Sequence, residues 1–199
     1  SFIAKINIKI RSNESNDFYR KSAHNQFVGK LHKGETVYYE IVGYSDTGAS
    51  IMGVCNNSKI QDKDFIKQYG KTTTFAYRCK QGESKIYIYR MTMTNEDGYV
   101  VEYPNDLIKM RANQMGIQVV PELDRFIYTT QEDLLDRVNR YVDGADLIDP
   151  SHIREGIVVR REGKEVFAPL KYKSFDFKVL EGIIKDSGIA DTEEIESLQ

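Results

Sequence analysis

The sequence predicts a mixed α+β chain in which strands pair antiparallel and helices flank them. Three observations carry that expectation. Segments 2–11, 36–44 and 85–94 are strand-like, by alternation or by their aromatic and β-branched content. Turn clusters at Asn95-Glu96-Asp97-Gly98 and Glu162-Gly163 join consecutive strand-like runs into hairpins. Segments 105–115 and 130–142 instead place apolar residues at helical spacing.

A chain of 199 residues is long enough to bury a sizeable core. Its 40% hydrophobic and 29% charged residues are those of an ordinary globular protein, which excludes a disordered chain. The net charge of −2 excludes a bulk polycation, so a site for a polyanion has to be a local basic patch. Cys55 and Cys79 are too far apart for a C-x-x-C motif and too few for a disulfide framework. Both are expected to be reduced, in a cytoplasmic compartment. No apolar run reaches the length of a membrane-crossing helix, and the first residues lack the basic-then-apolar order of a signal peptide. No membrane partner is expected.

In segment 2–11, Phe2, Ala4, Ile6, Ile8 and Ile10 share one face and Lys5, Asn7, Lys9 and Arg11 the other, as in a half-buried strand. Residues 12–16 are a polar turn, and 17–31 is a mixed segment with room for a short helix. After the Gly34-Glu35 turn, segment 36–44 reads as a central strand with a carboxylate, Glu40, near its end. Segment 45–83 is polar and weakly periodic, with a short helix at 62–69. Its length suits either a substrate-side elaboration or a plain decoration.

Segment 85–94 alternates, turns at 95–98 and returns as a strand over 99–103. Within it Tyr87 and Tyr89 fall on one face. The helix over 105–115 closes at Gly116, a short strand follows over 117–120 and ends at Pro121, and Thr129 or Thr130 caps the next helix. That helix has Glu132 and Asp133 in its first turn, with Leu134, Leu135, Val138, Tyr141 and Val142 at core spacing. The C-terminal segment predicts a helix over 175–185 that buries Val179, Leu180, Ile183 and Ile184, then an acidic tail.

The chain is organised around Glu155-Gly156-Ile157-Val158-Val159-Arg160 and the basic strand that answers it, Leu170-Lys171-Tyr172-Lys173. With a period of two, Lys171 and Lys173 point to one face. Like charges at such positions repel unless an anion lies between them. A lone K-x-K is also a common way to blunt an exposed edge strand. Here it follows E-G-I-V-V-R at short range, a much rarer combination.

These stretches resemble motifs IV and V of the covalent nucleotidyltransferases, the superfamily of ATP-dependent DNA ligases, RNA ligases and mRNA capping enzymes. Glu40-Ile41-Val42-Gly43 resembles motif III, with Tyr39 where a glycine is usual. Segment 85–94 resembles motif IIIa, with Tyr87 the best match for the aromatic that stacks on adenine and Tyr89 the alternate. Ile10-Arg11-Ser12 resembles motif Ia. The order of the five stretches, and the spacing from Glu40 to Glu155 and on to Lys171, suit the RNA-ligase branch. Motif I, which carries the nucleophilic lysine, is not found. Lys5-Ile6-Asn7-Ile8 imitates it without the glycine, so the nucleophile is expected upstream of Ser1.

The resemblance implies a nucleotidyltransferase core of two antiparallel sheets flanked by helices, over 1–174, with a helical tail over 175–199. It implies ATP and Mg2+ as cofactors, AMP as a covalent intermediate and RNA ends as the partner. A further N-terminal segment is implied as well. Lys171 and Lys173 would neutralise phosphate charge, Glu155 would hold Mg2+, and Glu40 would hold ribose hydroxyls or the same metal's water shell. Tyr87 would stack on adenine, and Arg11 would hold a phosphate. A DNA ligase, a capping guanylyltransferase and a non-catalytic nucleotide- or RNA-binding module are the alternatives.

Overall fold

The computed structural model of the chain describes residues 18–163 and 167–186. The expected strand over 2–11, with Lys5 and Arg11, lies outside the described residues. In chain order the elements are α1 (Phe18–Phe27), β1 (Glu35–Gly43), β2 (Val54–Asn56), a 3₁₀ turn (Asn57–Lys59), α2 (Lys63–Tyr69), β3 (Thr72–Thr74), β4 (Ser84–Thr94), β5 (Val100–Glu102), α3 (Asn105–Met115), β6 (Gln118–Val119), α4 (Gln131–Tyr141), β7 (Gly156–Val159), β8 (Leu170–Lys173) and α5 (Phe175–Glu181). The architecture is α+β, with three separate small sheets among the described residues. The elements divide between two compact units, one built from 18–51, 76–122 and 160–169, the other from 52–75, 123–159 and 170–186.

The first unit holds the largest sheet. β1 and β4 pair antiparallel from Glu35 opposite Met93 to Gly43 opposite Ser84, β5 extends β4 by the expected hairpin, and β6 lies parallel to β4. Alternation, shifted by one residue at a bulge at Tyr89, sends Ile41, Ile86, Ile88 and Met91 to one face, where they pack with Phe27 of α1 and Ile108, Ala112 and Met115 of α3. Fully burying an aliphatic side chain such as Ile88 or Ile108 stabilises the fold by about 1.5–3 kcal/mol. Helix α3 begins at Pro104, which offers no side-chain cap. The Glu162 carboxylate supplies the acceptor instead, taking the Asn105 N–H at 3.0 Å. Its end is set by Gly116, whose left-handed φ of +69° lets two carbonyls of the last turn be satisfied.

A polar clamp crosses this core. Arg111 of α3 donates Nε to Glu35 Oε1 at 2.8 Å and Nη2 to Oε2 at 2.7 Å, with both side chains buried. The Tyr103 hydroxyl and the His32 N–H also donate to the Glu35 carboxylate, at 3.1 and 2.8 Å. These donors hold Glu35 down to a pKa of about 2 against the ordinary 4.5, with the Arg111 hydrogen bonds the largest cause.

In the second unit β2 pairs with β3 and β7 with β8. Phe75, fully buried after β3, packs 4.8 Å from the His152 ring and edge-on to Phe177 of α5 at 5.4 Å. Segment 45–83 is more ordered than its weak periodicity suggests. Asp62 caps α2 through the Asp64 N–H, and the buried Asn57 amide donates to Gly70 O and Thr73 Oγ1 at 2.9 and 2.8 Å. Of the two threonines expected as its cap, Thr130 is the one that caps helix α4, but of its anticipated core residues only Val138 is fully buried. Helix α5 is shorter than expected: Gly182 ends it with a left-handed φ of +77°, which leaves Ile183 59% exposed where burial was anticipated, and Ile184 only half-buried. This helix, anticipated as a C-terminal tail, lies in the same unit as the β7 and β8 hairpin.

Candidate functional site

The Glu155 to Val159 stretch and the lysine strand form one hairpin. Its register is Gly156 opposite Lys173, Ile157 opposite Tyr172, Val158 opposite Lys171 and Val159 opposite Leu170. Directly opposed residues share a face, so Gly156, Val158, Lys171 and Lys173 lie on one side, with Val158 and Lys171 exposed there. The glycine of the E-G pair has a spatial cause. A Cβ at Gly156 would sit 2.0 Å from the Tyr172 carbonyl oxygen and 2.7 Å from Lys173 Cα, and its φ of +145° is open to glycine alone without strain. Glu155, one position before Gly156, lies just outside the paired residues of the hairpin.

Two residues that sequence reasoning missed fix the mouth of this hairpin. Ser174 is buried; its N–H donates to the Glu155 carbonyl at 2.9 Å, its hydroxyl donates to the Arg154 carbonyl at 3.1 Å, and its Oγ caps α5 by accepting the Phe177 N–H. Arg154 reaches the Tyr141 carbonyl at the end of α4 and the Ala145 carbonyl at 3.1 Å. The Ser174 cap was visible as a serine just before an apolar helical run. Arg154, an arginine among many, gave no local signal.

The two lysines differ in state. The Lys173 ammonium is bonded to the Glu181 carboxylate and lies 5.3 Å from the Phe177 ring centre. Lys171 has no hydrogen bond or ion pair among the described residues. Further acidity lies in the same unit: burial first, then Asp143, Asp62 and Asp186, push the Asp176 carboxyl above its ordinary range.

In the first unit the register places Glu40 directly opposite Tyr87, so the two residues read as motifs III and IIIa share one face of the sheet, away from the core. Glu40 is exposed, whereas Tyr87 is only 6% exposed, which leaves little of its ring open for stacking. A β-bulge follows at once. Tyr39 pairs with Ile88 and Tyr38 with Arg90, making Tyr89 the extra residue. The bulge sets Tyr89, half-buried, 6.4 Å from the Tyr38 ring and puts the Arg90 guanidinium 4.3 Å over Tyr38. Arg90 also lies 4.4 Å from the Phe167 ring centre and forms a two-pronged ion pair with Glu102. Neither Arg90 nor Phe167 stood out in the sequence, because a bulge shifts alternation by one and periodicity assumes that it does not.

Among the described residues no group of three or more His, Cys, Asp or Glu side chains is close enough to hold a metal ion. Glu155 and Glu40 are single carboxylates in different units. Such oxygen donors suit a hard cation that takes its other ligands from phosphate and water. Among the described residues, no helix is long and apolar enough to cross a membrane. No protein-family model, curated protein or solved structure matches the chain.

Proposed function

We propose that the chain is the catalytic core of an ATP-dependent RNA ligase with the nucleotidyltransferase fold, joining 5′-phosphate and 3′-hydroxyl ends through enzyme-AMP and AMP-RNA intermediates. The observation that carries the reading is the register of the β7 and β8 hairpin. It joins E-G and K-x-K in one element, keeps both lysines on one face and gives the glycine a steric reason.

In this reading Lys171 and Lys173 bind phosphate oxygens of the nucleotide, and the positive field stabilises charge that develops during in-line displacement at phosphorus. Tyr89, half-buried beside the nearly closed-off Tyr87, stacks on adenine and Glu40 accepts the ribose hydroxyls. Glu155 would hold Mg2+, which supplies neutralisation of the phosphate charge. Ser174 and Arg154 act as positioning residues by fixing the Glu155 backbone.

The final sealing step, attack of a 3′-hydroxyl on the phosphorus of a 5′-adenylylated end with loss of AMP, uses no lysine nucleophile. The chain from Ser1 is therefore testable with a 5′-adenylylated RNA, a 3′-hydroxyl RNA and Mg2+. Sealing with release of AMP is expected. Lys171→Ala and Glu155→Ala should each lower the rate by about 100-fold or more, the scale of a lost electrostatic contact in a transition state, with an unchanged unfolding midpoint. No sealing and no binding of labelled ATP by the wild-type chain would end this reading, and preference for adenylylated DNA would turn it to a DNA ligase.

A milder change tests the role of Lys173. Glu181→Gln releases its ammonium from the internal ion pair and should tighten ATP binding by about twofold to tenfold, the scale of one charge-assisted contact. Equal affinities, read by titration with a fluorescent ATP analogue, would remove Lys173 from the phosphate site.

A further inference from the structure

Two consecutive residues that carry side chains, Tyr77 and Arg78, have left-handed φ values of +51° and +57°. They are the central pair of a turn closed by the Cys79 N–H on the Ala76 carbonyl at 2.9 Å, a geometry usually supplied by glycine, asparagine or aspartate. A Cβ makes this conformation unfavourable, so it persists only where surrounding contacts over-determine it.

Those contacts lie at the end of β1. Tyr77 and Cys79 are buried, and Cys79 packs against Gly43 so closely that a Cβ on that glycine would sit 2.7 Å from the cysteine Cβ and Sγ. The Cys79 thiol faces the Val42 carbonyl at 3.9 Å, and the Tyr44 N–H donates to the Glu83 carbonyl at 2.8 Å. Arg78 and Lys80, on either side of Cys79, are both exposed. Lys85, also exposed, pairs with Val42 across the ladder. The regular stretch of β4 before the bulge puts Lys85 on the same face as Glu40 and Tyr87. The one carboxylate in the turn, Glu83, is directed to the Lys80 N–H at 3.0 Å.

We infer that Arg78, Lys80 and Lys85 form a docking site for the phosphodiester backbone of a nucleic-acid strand at the Val42 and Gly43 end of the sheet. The strained turn holds an arginine where the backbone geometry favours glycine. A planar guanidinium and two ammonium groups, exposed on one turn and the start of β4, match the spaced single charges of a phosphate chain. Lys85 stands two strand residues, about 7 Å, from Tyr87, close to one nucleotide step from the pair read as the nucleoside site. The inference rests on the RNA-ligase reading for its choice of RNA as probe.

The geometry also separates binding from folding. In Arg78→Gly the relief of left-handed strain opposes both the extra freedom that glycine gives the unfolded chain and the loss of the side chain's own contacts, so the variant should stay folded. Arg78→Asn, which tolerates the same backbone, removes the charge in a second way. Binding of a fluorescent single-stranded RNA is measured by polarisation from low to moderate salt, with inorganic tripolyphosphate as competitor. Arg78→Gly, Arg78→Asn and Lys85→Ala should each weaken RNA about threefold to tenfold at low salt and flatten the log K against log salt slope by about 0.7 per lost contact. Tripolyphosphate should compete only weakly. Unchanged affinity and slope in these folded variants would overturn the docking site, as would equal competition by tripolyphosphate. If the wild type seals RNA while these variants bind it normally, only the docking site fails. If nothing is sealed or adenylylated yet the salt slope depends on Arg78, the docking site stands and the ligase reading fails.

Discussion

Arg111→Met is expected to lower the unfolding free energy by about 3–5 kcal/mol, the range for breaking a buried ion pair from one side. The side chain that suffers is Glu35. In the native chain its two oxygens receive both prongs of Arg111, the Tyr103 hydroxyl and the His32 N–H. Without the guanidinium, a carboxylate with no exposed side-chain surface keeps only two donors, and it must stay charged in an apolar core or take up a proton. Replacing Glu35 and Arg111 together with apolar residues of similar volume should recover much of the loss, because the uncompensated charge goes with the pair. The check is a denaturant series followed by circular dichroism; equal midpoints for wild type and Arg111→Met would mean that the clamp does not hold the first unit together.

The same clamp sets an acid limit. The folded pKa of Glu35, about 2, lies below the ordinary 4.5, so the unfolded chain takes up the proton first. The stabilisation, about 3 kcal/mol by linkage, is fully present above pH 4.5 and is lost as the pH falls through the folded value. In Arg111→Met this acid limb should shrink or reverse. At the alkaline end burial, then the charge of Glu35, raises the Tyr103 hydroxyl, so the clamp also weakens above the ordinary tyrosine range.

Gly156→Ala is the second change of large effect, expected to lower stability by about 3 kcal/mol or more and, under the proposed ligase function, to abolish sealing. The methyl group would enter the space of the Tyr172 carbonyl oxygen, at 2.0 Å, and only backbone surrounds it on that side. The strands must separate, which takes Lys173 and Lys171 out of register with Glu155. Gly163→Ala, with a φ of +70° and nothing within 4 Å of the added carbon, is the matched control at about 1 kcal/mol. Thermal unfolding and the sealing assay together distinguish the two. If the wild type seals RNA and Gly156→Ala does so at the same rate, the hairpin register has no part in the proposed catalysis.

Elements whose evidence is local were readable in the residues. Helix α3 follows from apolar spacing and Gly116, the cap of α4 from Thr130 with Glu132 and Asp133 behind it, and the β4 to β5 hairpin from Asn95-Glu96-Asp97-Gly98. The shared face of Lys171 and Lys173 follows from strand alternation alone, since it needs only the period of two. Ile183 and Ile184 went the other way. Their spacing continued the helix, but Gly182 offered a lower-energy left-handed end.

Other features depend on partners far away in sequence. Glu162 capping α3 and Arg111 closing on Glu35 each join residues more than fifty positions apart, and no window of sequence contains both members. The bulge at Tyr89 belongs to the same group, because an extra residue in one strand is defined only against its neighbour.

Composition, periodicity and turn chemistry were enough to give an α+β chain and most of its helices and strands, because each is a property of neighbouring residues; the stretches worth testing for nucleotide chemistry came from their resemblance to family motifs. Tertiary contacts alone decided that Glu40 faces Tyr87, that Lys173 is held by Glu181, that Gly156 touches the opposite strand and that Arg78 sits in a strained turn beside Val42. Those are relations between side chains brought together by folding, and their energies depend on distances that a linear order does not contain.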